Sequence, residues 1–174
     1  MTKARLQIVD YSGMSREAQA PVIVSASRST DIPAFFSRWF MNRLRKGHVV
    51  WRNPFNGKPL YVSFAKTRVL VFWTKDPRPL LAYLDEIDAM GIHYYFQFTL
   101  NDYAPEGLEP NVPPLSQRVE TFQALSERLG KKRVIWRFDP LMLTDTLTVE
   151  RLADRIAGVA ARIRGCTEDR KSVV

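Results

Sequence analysis

The sequence predicts an α/β protein: a partial (β/α) barrel with a mostly parallel sheet of four to five strands and one β-hairpin excursion. Two observations predict it. From residue 21 onward, short β-type runs alternate with patterns of helical period, the order expected of βα units around a parallel sheet. The run 69–74, VLVFWT, is also continuously apolar, as a strand covered on both faces should be.

The first run is 22–27, VIVSAS. Behind it Phe35, Phe36, Trp39, Phe40 and Leu44 recur at three- and four-residue spacing, with start chemistry from Asp31 and Pro33 and an end at Gly47. The second run, 48–52, leads through Asn53-Pro54 to Asn56-Gly57, which favours a tight turn because both residues tolerate positive φ. A hairpin strand over 59–64 follows, and 69–74 is the third core run. Asp76 and Pro77 then start a helix with Leu80, Leu81, Leu84 and Ile87 on one stripe, closed by Gly91. The fourth run, 94–100, passes into a loop holding Pro105, Gly107, Pro110, Pro113 and Pro114. Ser116 is placed to cap a helix with Leu115, Val119, Phe122, Leu125 and Leu129 on its buried side, ending at Gly130. After a fifth run, 133–138, Thr148 caps a last helix carrying Leu152, Ile156, Val159 and Ile163. The chain then stops, with no room expected for another strand.

The 174 residues fit one domain: an incomplete barrel over 21–168, an extension over 1–20, and a tail over 169–174. The final DRKSVV resembles what a common short-read sequencing adapter encodes up to its in-frame stop, so the chain is expected to be truncated, with native sequence only to about Glu168 and a non-native tail behind it. An interrupted barrel implies an exposed sheet edge and marginal solubility. A hydrophobic content of 45%, with ten Phe, four Trp and six Tyr, excludes intrinsic disorder. The single cysteine excludes a disulfide framework and a metal or iron–sulfur site built from thiolates alone, and it suits a reducing compartment. No apolar run approaches the ~18 to 20 residues that span a bilayer, and the opening MTKARLQIVDYSG lacks an apolar leader core. A cytoplasmic protein with no membrane partner is the expectation.

Ligand groups of parallel βα architectures come from the carboxyl ends of strands and the loops behind them, where helix N-termini and free backbone amides converge. That rule selects Ser25, Ser27, Arg28, Ser29, Thr30 and Asp31 after the first run, and Arg52 and Asn53 after the second. It selects Trp73, Thr74, Lys75 and Asp76 after the third, Gln97, Thr99 and Asn101 after the fourth, and Arg137, Asp139 and Pro140 after the fifth. Arg28, Arg52, Lys75 and Arg137 would give the mouth an excess of positive charge, suited to a small anionic ligand such as a phosphate or carboxylate. Simpler roles compete: Asp31 and Asp76 as helix N-caps, Arg137 with Asp139 as a structural ion pair, and Lys75 as solvated surface. Trp39, Trp51, Trp73 and Trp136 read as core or barrel lining rather than stacking platforms.

Other chemistries lack their motifs. Neither GxxxxGK[ST], GxGxxG nor GxSxG occurs, His48 and His93 stand at strand starts without metal-ligand spacing, and Cys166 follows a helix with no histidine near it in sequence. A pI near 9.9 and the run Lys131-Lys132-Arg133 give an electrostatic footprint for nucleic acid. The basic residues nevertheless read as a solvated surface spread over four helices and many loops.

The blocks VIVSASRSTDIPAFFSRWFMNRLRKGHVVWRNPFN, VFWTKDPRPLLAYLDEI, HYYFQFTLNDY, EPNVPP and RVIWRFDPLML agree in order and spacing with a prokaryotic family, known as domain of unknown function eighteen-forty-eight, which the chain resembles from about Val22 to Glu168. The resemblance implies a longer protein whose C-terminal end carries a cysteine cluster similar to the CxxxCxxC iron–sulfur motif of radical S-adenosylmethionine enzymes. This chain departs from it there: Cys166 is its one cysteine, whereas a [4Fe–4S] cluster needs three or four thiolates. No cofactor is therefore expected on these residues, and an iron–sulfur cluster only in a full-length member. Two functions follow as expectations. One is the N-terminal, ligand-binding part of an iron–sulfur barrel enzyme; the alternative is a non-enzymatic anion- or nucleic-acid-binding module.

Overall fold

A computed structural model describes residues 4–27, 29–168 and the backbone of 170–171. The chain opens with a hairpin of β1 (Arg5–Val9) and β2 (Ser15–Gln19), whose turn is held by the Asp10 carboxylate accepting from the N–H groups of Ser12 and Met14. Then follow β3 (Ile23–Ser25), α1 (Ile32–Phe35), α2 (Ser37–Arg45), β4 (His48–Arg52), β5 (Pro59–Ser63) and β6 (Val69–Thr74). The second half holds α3 (Arg78–Leu81), α4 (Leu84–Ala89), β7 (His93–Thr99), a 3-10 turn (Ala104–Glu106), α5 (Leu115–Leu129), β8 (Val134–Arg137), α6 (Val149–Arg162) and β9 (Arg170–Lys171).

Two sheets result. One has the order β1-β2-β5-β4; the other, β3-β6-β7-β8-β9, is parallel throughout and keeps the strands in chain order. The α/β class and the hairpin are as expected, and the run 69–74 is β6 residue for residue. The run 48–52 is not a parallel core strand. It pairs antiparallel with β5 from His48↔Ser63 to Arg52↔Pro59, because the six residues between the two strands are too few for a parallel crossover. The extension is likewise folded: its second strand joins β5 through the parallel pairing Gln19↔Val62. A further strand also exists where none was expected, since the backbone of Arg170 and Lys171 pairs in parallel with Trp136 and Arg137. The remaining residues of the expected tail, 169 and 172–174, lie outside the described residues.

Alternation along the parallel strands separates two faces. Leu70 and Phe72 of β6, Tyr94, Phe96 and Phe98 of β7, and Val134 and Trp136 of β8 enter one core with Leu80, Leu84, Ile87, Phe122, Leu125, Val159 and Ile163 from the helices. Phe72 lies centrally, with ring centroids 5.7 Å from Phe40, 5.3 Å from Phe96 and 6.4 Å from Tyr94. The intervening residues, Trp73 of β6, Tyr95, Gln97 and Thr99 of β7, and Ile135 and Arg137 of β8, occupy the opposite face.

Three helix expectations need correction, the first being the single helix from Asp76 to Gly91, which is two short helices, α3 and α4, separated at Ala82 and Tyr83. The stripe from Phe35 to Leu44 is interrupted at Phe36, whose φ of −132° ends α1 before α2 begins. Phe40, Met41 and Leu44 remain buried, while Phe35, Phe36 and Trp39 are turned to the surface. Ser116 does not cap α5; Pro114 stands at the cap position with no side-chain hydrogen bond, and Ser116 falls inside the first turn. Thr148 does cap α6, its hydroxyl accepting from the N–H of Arg151.

Candidate functional site

At the carboxyl end of β6 the Asp31 carboxylate joins two elements. Its Oδ1 accepts from the N–H of Ala34 at 3.0 Å, capping α1, and its Oδ2 accepts from the Thr74 hydroxyl at 3.0 Å and the N–H of Lys75 at 2.8 Å. The N-cap reading of Asp31 is therefore the observed one. Burial raises its pKa, and the hydrogen bonds from Lys75, Ala34 and Thr74 only partly offset that. A carboxyl that holds its proton more tightly when folded makes stability fall as pH rises from its unfolded pKa toward its folded one. The stability difference between wild type and Asp31→Asn should accordingly shrink from about pH 4 upward in urea titrations; a difference that grows with pH contradicts this placement. Asp76 behaves oppositely. Although burial acts to raise its pKa, hydrogen bonds from the Arg78 guanidinium and N–H hold the carboxyl below its ordinary value.

On the opposite face of the sheet a second group forms around Arg137. Its Nε and Nη2 donate to Asp139 at 3.1 and 2.7 Å, its Nη1 donates to Gln97 Oε1 at 2.5 Å, and its guanidinium lies 4.5 Å from the ring centroid of Trp73. The structural ion pair and the stacked ring hold the fork rigidly, with three of its five N–H groups engaged among the described residues.

The third group was not visible in the sequence reading. Lys75 Nζ forms an ion pair with Oε1 of Glu109 in the loop behind β7, while Glu109 Oε2 is buried without a hydrogen-bond partner among the described residues. Arg118, 3% exposed in the first turn of α5, donates from Nε to the Pro113 carbonyl at 2.9 Å, and its Nη1 is buried with no partner among the described residues. Burial pushes the Arg118 pKa down, opposed by the charges of Glu109, Asp102 and Asp76. The available signal was a charge standing on the inward stripe of an apolar helix, three residues after Leu115 and four before Phe122.

The remaining candidates divide. Ser27 is buried and its Oγ is without a partner among the described residues; Asn101 is fully buried, its Nδ2 donating to the Asp139 carbonyl at 3.2 Å while its Oδ1 likewise has none among them. Thr99 is half-buried, and Ser25 and Thr30 are exposed. Arg52 and Asn53 do not follow a parallel strand, because β4 belongs to the other sheet; the Asn53 side chain accepts from the Phe55 N–H and stabilises the hairpin turn. Arg28 lies outside the described residues. Of the four cations expected at the mouth, the three described ones are accounted for separately. Lys75 and Arg137 each have a carboxylate partner, and Arg52 sits on the hairpin. Of the four tryptophans read as core or barrel lining, Trp136 is buried in the core, while Trp39, Trp51 and Trp73 are 39–44% exposed and do not belong to it.

Two concavities lie elsewhere. One of about 290 Å³, lined by Val69, His93, Tyr95, Arg133 and Ile135, is at the amino ends of the strands. Another of about 430 Å³ lies between the 3-10 turn and the start of α6, lined by Glu106, Leu108, Thr144, Thr146 and Arg151. Beside it, Arg155 of α6 donates to both Glu106 oxygens, at 2.7 and 2.9 Å, and to the Asp102 carbonyl, fastening the loop behind β7.

Residues 23–173 match the family described as Domain of unknown function (DUF1848), so the chain belongs to that family. The match passes beyond Glu168 and takes in both β3 and β9. No curated protein and no solved structure matches the chain.

Proposed function

We propose that this member of the DUF1848 family uses the carboxyl end of its parallel sheet to bind a small polar ligand carrying both hydrogen-bond donors and acceptors, as the first strands of a (β/α)-barrel enzyme domain. The observation that carries the reading is the set of buried polar atoms left without partners among the described residues. Of six such side-chain atoms, four belong to this end: Ser27 Oγ, Asn101 Oδ1, Glu109 Oε2 and Arg118 Nη1. Native proteins pair nearly all buried polar groups, and leaving one unmade costs about 1–3 kcal/mol, more for a charged group. Such atoms persist where another molecule completes them. One charged acceptor, one neutral acceptor, one charged donor and a hydroxyl complement a ligand of mixed polarity better than a bare anion, and the ion-paired state of Lys75 and Arg137 points the same way. The barrel reading is supported by strands that follow chain order in one parallel sheet, which a singly wound barrel requires.

The iron–sulfur chemistry that the family resemblance implies does not fit the residues present. Cys166 is the one cysteine, and the described residues contain no group of three or more His, Cys, Asp or Glu side chains placed to hold a metal. No reaction step is assigned to a cluster here. A cytoplasmic setting rests on the single cysteine; the described residues contain no helix long and apolar enough to cross a membrane.

Thermal melts of the whole chain with L-serine, ribose, succinate and inorganic phosphate test the reading. Saturation at a hundred times Kd adds about 2.7 kcal/mol, or roughly 5–10 °C in Tm for a chain of this size. Serine or ribose should give such a shift, phosphate should not, and Arg118→Met should abolish it. A shift with phosphate or succinate alone, no shift with any probe, or a shift that survives Arg118→Met overturns the proposal.

A further inference from the structure

We infer that the surface formed by α1, α2 and the outer half of the β4–β5 hairpin binds single-stranded nucleic acid, independently of the ligand mouth. The inference starts from how charge is distributed. Between Asp31 and Asp76 the chain has nine basic residues and no acidic one, so this stretch carries more positive charge than the whole chain's net +8. What sets the stretch apart is its lack of carboxylates, since it holds nine of the 26 basic residues and none of the 18 acidic ones. Arg45 and Lys75 have carboxylate partners in Glu86 and Glu109, whereas Arg38, Arg52 and Lys58 are exposed with no carboxylate partner among the described residues.

Exposed apolar surface follows the same boundary. The six large apolar side chains exposed in this stretch are all aromatic: Phe35 (71%), Phe36, Trp39, Trp51, Phe55 (96%) and Trp73. Elsewhere the exposed large apolar residues are aliphatic except for Tyr11. Aliphatic members of the stretch such as Met41 and Leu44 are buried, so what faces water is flat ring rather than branched hydrocarbon. The Trp51 indole N–H donates to Ser29 Oγ at 3.3 Å, seating the outer half of the hairpin beside the loop that enters α1. Phe55 stands at the hairpin tip, between Arg52 and Lys58 in sequence.

Exposed rings and uncommitted cations carried by one stretch, Trp73 apart because its ring stacks on Arg137, match what an unpaired strand offers. Every base has a π-face to stack, and each phosphate has a charge for Arg or Lys. A duplex hides its base faces, which selects single strands. An anionic membrane surface also takes Trp and Phe beside basic residues, so the vesicle arm of the test separates the two partners.

Fluorescence anisotropy with the whole chain, a labelled 20-nucleotide single strand, its duplex, and vesicles of mixed phosphatidylcholine and phosphatidylserine tests the inference. The single strand should bind more tightly than the duplex. With about four phosphate contacts its affinity should fall on the order of fiftyfold between 50 and 200 mM salt. Phe55→Ala, a change at a fully exposed ring that leaves the fold intact, should weaken binding on the order of tenfold, and Lys58→Ala should flatten the salt slope by roughly 0.7. Equal affinity for duplex and single strand, indifference to Phe55→Ala, or binding to vesicles without binding to the single strand overturns the inference. None of these results depends on the ligand mouth, whose test uses small molecules and Arg118.

Discussion

Asp139→Ala should destabilise the chain by about 3 kcal/mol in urea denaturation, because it strips the partner from a buried guanidinium. Arg137 keeps 8% of its side chain exposed, and two of its three hydrogen bonds end on Asp139. After the substitution only Gln97 and the face of Trp73 would remain to it. The cost is that of an uncompensated buried charge rather than the worth of the pair. Arg137→Met combined with Asp139→Leu should therefore recover most of the loss and come within about 1 kcal/mol of wild type. A loss below about 1 kcal/mol for Asp139→Ala alone would mean that solvent screens the pair and that the fork is not rigidly held.

Phe72→Ala should cost about 3–5 kcal/mol, the range for an aromatic ring removed from a closed core. Phe72 is fully buried and meets Phe40, Phe96 and Tyr94, so its loss leaves a cavity that β6, β7 and α2 cannot close together. Its neighbour gives the control. Trp73 points to the opposite face and is 40% exposed, so Trp73→Ala should cost less than half as much under the same conditions. Equal losses at the two positions would show that the face carrying Trp73 is as closely packed as the core.

The parallel strands were legible because they are mostly apolar, with Gln97, Thr99 and Arg137 confined to the face opposite the core: β6 follows the run 69–74, and β7 and β8 lie within the runs 94–100 and 133–138 or one residue outside them. Sheet membership was not legible for 48–52. Local pattern reports a strand but not its neighbour, and only the short link to 59–63 argued for antiparallel pairing. Phe35, Phe36 and Trp39 misled through spacing, since a stripe extrapolated across Phe36 assumes one continuous helix and the chain makes two. At the site, Asp31, Thr74, Gln97 and Arg137 were found by position at strand ends, and their bonds to one another are those the parallel register brings within reach. Glu109 and Arg118 escaped that rule. One stands in a proline-rich loop and the other on a helix, and their burial depends on how the loop folds back over β6.

The central claim is that the unpartnered polar atoms at the carboxyl end are kept for a ligand and not for the fold. Urea denaturation of Arg118→Met without ligand tests it most directly. Burial acts against the charged form of Arg118, its Nη1 has no partner among the described residues, and its one hydrogen bond goes to Pro113. Replacement by an apolar side chain of similar length removes the desolvation cost and loses one bond, for a net change of about 1 kcal/mol or less, or a gain. The variant should be at least as stable as wild type to within that margin. A loss of about 3 kcal/mol would show that Arg118 holds the structure together, and would contradict the claim.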